Sequence, residues 1–548
     1  MSGQSGSQPV RPAYVATPYG QVRYWRAGEG RPVVVLPGLI LGAGVRARQW
    51  ADALAGHMVI SFELPGIGGS EFAGTGAGDA VAEAASVLAA AWRRLGLGNA
   101  PIVAFDLTAP IASALARELG GEPAAVLAID QARARAWAAR NWRAPDLAPR
   151  GDGCHLTALW ARLRDAHVLI ADNPILPARD GEPLPSPRDL DETVVAAASS
   201  PRRFETLWNA AIAAMAGSTA SGAAGIESIE AAALAQRLEA VPAQMVPVAM
   251  PVDAARPETR TQDTIWCDYV DIAHGRVHLR RAGQAGGRPL LMFQSAPGST
   301  APLAEIIAGL APGRDVVAPD FLGNGRSDKP AYTRTDVAAL ARDGLAVAEA
   351  LGFEEFDVWG THTGACVALE LAILAPERVG RAVLEAPPLL PPSFTEDILA
   401  NYLPPLRPDR WGLHLQQAWN MRRDMFLFWP WYADRRDAVR NLGVPDAQFL
   451  HDWTVGLLSS GETYDRSYRS AFEYDTQARL PLLKRPAMIC AGPADMLVEG
   501  LEVARRISPE GTVITPLPAT IWYPRQSPEG VARTLAAYDA FLKGEYSA

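Results

Sequence analysis

The sequence predicts an α/β protein written twice in tandem, each copy a mostly parallel sheet flanked by helices. Three observations lead there. Along both halves, short β-rich apolar runs alternate with Ala- and Leu-rich helical stretches, the pattern of a parallel sheet covered by helices. The halves also repeat one another in order, at an offset close to about 257 residues. Finally, 548 residues exceed what one core can use and suggest two to four domains.

The repeats justify the elements in turn. Tyr19-Gly-Gln-Val-Arg-Tyr-Trp-Arg-Ala-Gly28 matches His274-Gly-Arg-Val-His-Leu-Arg-Arg-Ala-Gly283. Each leads through Arg-Pro into a buried strand, Val33 to Leu36 and Leu290 to Phe293. Glu63-Leu-Pro-Gly-Ile-Gly-Gly-Ser70 then matches Asp320-Phe-Leu-Gly-Asn-Gly-Arg-Ser327, and the Gly153–Asp165 stretch matches Gly412–Asp424. Further strands of the second half read at Asp315–Ala318, Phe356–Trp359, Ala382–Leu384, Ala487–Cys490 and Thr512–Thr515. An aromatic-rich insertion, about residues 388–484, reads as a helical cap over the mouth of that sheet. The expected boundaries are a first domain over 14–250, a Pro-containing charged linker over 251–264, and a second domain over 265–548. The Ala/Gly/Ser stretch from Ala214 to Ala224 reads as a loop.

Bulk properties narrow the function. Apolar residues make up 49% and charged residues 20%, with a net charge of −9 and no Lys/Arg block, so nucleic acid and anionic membrane are not expected partners. The four cysteines lie far apart without a C-x-x-C pair, which argues against a disulfide framework or a zinc site and predicts a reducing, cytoplasmic setting. The polar start Met1-Ser-Gly-Gln does not read as a signal peptide, and no apolar window is long enough to span a bilayer. The expected partner is a small-molecule substrate, with neither metal nor organic cofactor. Oligomeric state stays open, a homo-oligomer included.

The richest segment is Val358-Trp-Gly-Thr-His-Thr-Gly-Ala-Cys-Val-Ala-Leu-Glu-Leu-Ala372, an apolar strand, a glycine-flanked turn and a helix of small and apolar residues. Around it stand, in order, Gln294-Ser-Ala-Pro-Gly-Ser299, the D-x-x-G-x-G-x-S-D-x-P run from Asp320 to Pro330, Ala375-Pro-Glu-Arg-Val379 and Cys490-Ala-Gly-Pro-Ala-Asp495. From about Ile265 onward the chain therefore resembles the α/β-hydrolase superfamily. The resemblance implies an oxyanion loop at Gln294–Ser299, a nucleophile elbow (G-x-S-x-G) centred on residue 362, and a triad acid at Asp495. Two departures stand out. His362 occupies the serine position, and the last histidine in the chain is His451, so Ile521 falls where the triad histidine is expected. The first half resembles the same family in eroded form. Asp106 stands at its elbow, as in haloalkane dehalogenases and epoxide hydrolases, but Ala104 and Thr108 replace the flanking glycines and would crowd the turn.

Three readings of the site stay open. His362, at a helix N-terminus where the dipole disfavours imidazolium, acts as base or nucleophile with Asp495 orienting it. In a variant, Ser295 attacks with His362 as its base. In the third, His362 fills a dead site that binds a ligand at most. Thr363 N–H and the Gln294/Ser295 loop are the expected oxyanion donors. His414 and the cap aromatics Trp429 and Tyr432 are the expected substrate contacts, favouring an apolar or aromatic compound. The expected activity is hydrolysis of a small carbonyl- or ester-containing substrate; a lyase or isomerase, which needs only a base and an oxyanion site, and a non-catalytic ligand-binding module are the alternatives.

Overall fold

The computed structural model describes residues 9–74, 78–169, 184–217, 226–241, 253–330 and 335–546. The chain divides into two compact units, one of residues up to Glu258 together with Pro408–Gln416, the other of Thr259–Arg407 with Gln417–Ala548.

The first unit carries strands β1 (Arg11–Thr17), β2 (Gly20–Ala27), β3 (Arg31–Leu36), β4 (His57–Phe62), β5 (Ile102–Phe105), β6 (Val126–Ile129) and β7 (Ile226–Ser228). They form one sheet in the order β1-β2-β4-β3-β5-β6-β7. Its opening hairpin is antiparallel, and β4-β3-β5-β6-β7 are parallel. Parallel strands are covered on both faces, so β3, β5 and β6 read as unbroken apolar runs, and Val33, Val35, Val103, Phe105, Leu127 and Ile129 form a core.

In the second unit β8 (Trp266–Ile272), β9 (Gly275–Gly283), β10 (Leu290–Phe293), β11 (Asp315–Pro319), β12 (Phe356–Thr361), β13 (Val379–Glu385), β14 (Ala487–Ala491) and β15 (Val513–Pro516) repeat the pattern. The order is β8-β9-β11-β10-β12-β13-β14-β15, again with an antiparallel hairpin followed by parallel strands. Among the described residues the first sheet ends one strand earlier. Helix Thr363–Leu374, nearly all buried, runs from the end of β12 into the apolar core of this unit. Helix Pro528–Lys543 starts at the Ser527 cap, whose hydroxyl accepts from Gly530 N–H at 3.1 Å, and stops at Gly544, φ 82°. Between β13 and β14 stand helices Pro392–Asn401, Leu413–Asp424, Ala447–Leu458 and Asp465–Glu473, within the expected cap.

Two boundaries differ from those read in the sequence. Asp253–Glu258, expected in the linker, packs on the first unit: Ala254 and Ala255 are buried, and their carbonyls accept from Ala16 N–H and Gln21 Nε2, both at 2.7 Å. Pro408–Gln416, expected in the cap, also belongs to the first unit. There His414 Nε2 meets Asp191 Oδ1 at 2.8 Å and Gln416 Nε2 donates to Asp152 C=O at 2.9 Å. Ala214–Gly217 closes helix Pro201–Gly217, while Ser218–Ala224 lies outside the described residues.

Among the described residues no helix is long and apolar enough to cross a membrane, and no three His, Cys, Asp or Glu side chains are grouped to hold a metal ion. The four cysteines are free thiols.

Candidate active site

Strand β12 delivers His362 to the carboxyl end of the parallel sheet, where open α/β sheets bind ligands. His362 has φ 51° and ψ −112°, and its N–H donates to Glu385 C=O at 3.0 Å. So strained a turn between strand and helix lifts the side chain off the sheet. The flanking glycines permit it. A Cβ on Gly360 would stand 2.0 Å from Gly364 C=O, and one on Gly364 would stand 2.1 Å from Phe293 C=O.

Asp495 arrives on the loop after β14. Its Oδ1 accepts from Leu497 N–H at 2.8 Å, which fixes the carboxylate, and its two oxygens lie 3.0 and 2.9 Å from His362 Nε2. With the proton on Nε2, that N–H donates to the carboxylate and Nδ1 carries the lone pair. That nitrogen faces Ser295 Oγ at 3.4 Å, from the loop after β10. Asp495, His362 and Ser295 thus stand in line, acid to imidazole to hydroxyl. The Thr363 N–H, at the first helical position, has no acceptor within its helix and is available to an anion. Gln294 braces the loop instead of facing outward: it is 1% exposed and its Nε2 donates to Gly298 C=O at 3.1 Å.

The other expected contacts lie elsewhere. His414 folds with the first unit, held by Asp191 and by the Trp160 ring at 5.0 Å. The Tyr432 hydroxyl donates to Asp397 at 2.6 Å, and Trp429 packs edge-on against Phe394 and Tyr402 inside the cap. Asp320 serves its loop, as its place in the turn implies. It accepts from Thr300 N–H and Oγ1 and from Arg326 N–H at 2.7, 2.8 and 3.0 Å. Burial would raise it, yet the His278 imidazole and those N–H groups hold it well below the carboxylate range.

Two residues at the site escaped the sequence reading. Trp522 stands edge-on to the His362 ring, with centroids 5.1 Å apart. Its only signal was adjacency to Ile521, where a histidine was expected. Glu385, the last residue of β13, is fully buried, and burial together with the Asp495 charge pushes its carboxyl up to about 8. An acid ending an apolar run looks like a strand terminus, which is why its sequence drew no notice.

In the first unit Asp106 takes the matching position, with φ 40°. Ala104 and Thr108 do not abolish the turn, contrary to the crowding expected of them. The chain tightens into a 3₁₀ turn over Asp106–Thr108, and the Thr108 hydroxyl donates to Phe105 C=O at 2.8 Å. Asp106 Oδ1 accepts from Leu39 and Leu107 N–H at 3.0 and 2.5 Å. The side chain fills its own anion position. Burial pushes this carboxyl up despite Arg46 and the two donors.

The family model described as alpha/beta hydrolase fold matches residues 288–469. "Putative carbamate hydrolase RutD" of Azorhizobium caulinodans is 34% identical over 220 residues, 39% of this chain and 75% of that protein. The chain belongs to the α/β-hydrolase fold family. Another family relative, 2-hydroxymuconate semialdehyde hydrolase of Pseudomonas sp. strain CF600, is 39% identical over 112 residues, 20% of this chain; the match spans only 39% of that relative's length. Among solved structures, epoxide hydrolase A from Mycobacterium thermoresistibile is similar at 21% identity and a TM-score of 0.41, covering 51% of this chain and 99% of that one.

Proposed function

We propose that the second unit is a hydrolase of small ester- or carbonyl-containing compounds in which the catalytic triad is rearranged. Ser295 is the nucleophile, His362 its base and Asp495 the orienting acid. The observation that carries this is the His362 imidazole, bound to Asp495 through Nε2 at 2.9 Å and facing Ser295 Oγ through Nδ1 at 3.4 Å. Ser295 Oγ attacks the carbonyl carbon while its proton passes to Nδ1. The oxyanion forms beside the Thr363 N–H and the Ser295–Ala296 loop. Collapse expels the alcohol, which takes the proton from Nδ1, and water then cleaves the acyl-serine by the same relay in reverse. The 3.4 Å gap exceeds an ordinary hydrogen bond and is of the kind that tightens on substrate binding.

Relatives that carry hydrolase names support this reading. In it the first unit is a duplicated copy that has lost its chemistry. The shared strand order supports duplication, as do the positive φ at Asp106 and His362 and two matching loops. In one, Arg23 pairs with Glu63 at 3.0 Å where His278 pairs with Asp320 at 2.9 Å. In the other, His155 and His414 Nδ1 accept from the N–H five residues earlier at 3.2 and 3.3 Å.

Turnover of p-nitrophenyl esters by the wild type, Ser295→Ala and His362→Ala tests the assignment. Both variants are expected to lose about a thousandfold or more in kcat. If Ser295→Ala keeps its rate while His362→Ala loses it, His362 acts directly on substrate or water and the rearranged triad is wrong.

A further inference from the structure

A row of aromatic rings leads away from His362. Trp522 stands edge-on to it at 5.1 Å, and Trp453 stacks on Trp522 at 6.3 Å and 26°. Arg422 lies over the Trp453 ring at 4.9 Å. Arg422 comes from helix Leu413–Asp424 and is 7% exposed. Its Nη2 donates to Pro297 C=O at 2.8 Å, on the same loop as Ser295, and its Nη1 faces the Met425 sulfur at 3.8 Å. Its Nε–H is buried without an acceptor among the described residues. Among the described residues the charged or titratable groups that face it are Tyr468, Tyr402 and Tyr464, with no carboxylate.

An unpaired buried guanidinium is expensive to keep, because burial strips its hydration and no anion replaces it. Loop bracing through one carbonyl needs a single donor, which leaves the fork of Nε and Nη unexplained. That fork matches a carboxylate in plane and spacing.

We propose that Arg422 receives a carboxylate of the substrate, so that the compound is an anionic ester, with a flat unsaturated or aromatic body lying along Trp522 and Trp453. This rests on the hydrolase reading for the reacting end and on Arg422 alone for the anionic end. The substrate class is then the half-ester of a dicarboxylic acid.

The test compares the monomethyl and dimethyl esters of a series of aromatic and unsaturated dicarboxylic acids on the wild type and Arg422→Met. A thermal-shift titration with cinnamate against cinnamamide runs alongside. In the wild type the best half-ester is expected to exceed its diester at least tenfold in kcat/KM, and cinnamate to raise Tm where cinnamamide does not. In Arg422→Met both preferences collapse. Arg422→Gln, which keeps a polar donor near the Nε position without the charge or the planar fork, is expected to lose the preference as well. Turnover of esters without preference for the free acid, or a preference that survives in either variant, overturns the inference while leaving the hydrolase standing. A cinnamate shift lost in Arg422→Met with no ester turned over keeps the anion site and removes the hydrolase.

Discussion

Replacing Glu385 with glutamine should stabilise the protein increasingly as pH rises. The carboxyl sits at the end of β13, wholly buried, with neither oxygen in a hydrogen bond among the described residues. Tyr538, Trp522 and Thr361 face it, and the Asp495 carboxylate lies close enough to oppose a second negative charge. Burial first and Asp495 second raise its folded pKa to about 8 from an ordinary 4.5. A carboxyl shifted upward binds its proton more tightly folded than unfolded. Its contribution is therefore complete below about pH 4.5 and is lost as pH climbs toward 8. The slope is about 1.4 kcal/mol per pH unit, so roughly 4 kcal/mol separates pH 5 from pH 8. Glutamine keeps the shape and carries no titrating proton. Urea unfolding of wild type and Glu385→Gln at pH 5, 6, 7 and 8 isolates the effect, since other titrations cancel in the difference. The stability gap should move in favour of the variant by a few kcal/mol across that range. A gap independent of pH would refute the argument that Glu385 is held protonated.

Three further outcomes follow from the geometry. Asp495→Asn should leave the fold intact and lower kcat by about three orders of magnitude, because the amide presents the wrong partner to Nε2 and misassigns the tautomer; steady-state kinetics with circular dichroism checks both halves. Gly364→Ala should cost more than about 3 kcal/mol in chemical denaturation, since its Cβ would meet the Phe293 carbonyl at 2.1 Å, whereas a well-tolerated substitution would mean the elbow is looser than described. Asp106→Ala strands two buried N–H donors and should destabilise the first unit by about 2–4 kcal/mol with ester hydrolysis unaffected; lost hydrolysis at unchanged stability would place chemistry there.

Much of the sheet was legible because parallel strands are unbroken apolar runs. β10 was read to the residue, and β14 lacked only Ala491. β13 was read short, as Ala382–Leu384, because Gly380 and Arg381 interrupt its apolar pattern, and the register with β12 shifts there, between Val379 and Ala382. Asp495 and His362 were legible from motif order. What brought Ser295 into line was the path of the β10 loop, a tertiary fact with only neighbourhood as a sequence signal. The placement of Pro408–Gln416 was invisible for the same reason. The segment overlaps Gly412–Asp424, the repeat of Gly153–Asp165, yet nothing local told which unit would claim it. Arg422 is the sharpest case. As Arg422-Arg423 on a helix it looks like an exposed last-turn pair complementing the dipole, and only burial distinguishes the two.

The central claim is that Ser295 is the nucleophile activated by His362. Treating the protein with a fluorophosphonate and locating the adduct by peptide mass spectrometry tests it most directly. The account predicts a phosphonyl group on Ser295 in the wild type, and none in His362→Ala. An adduct on His362, or a wild type that stays unlabelled at both residues, would contradict it.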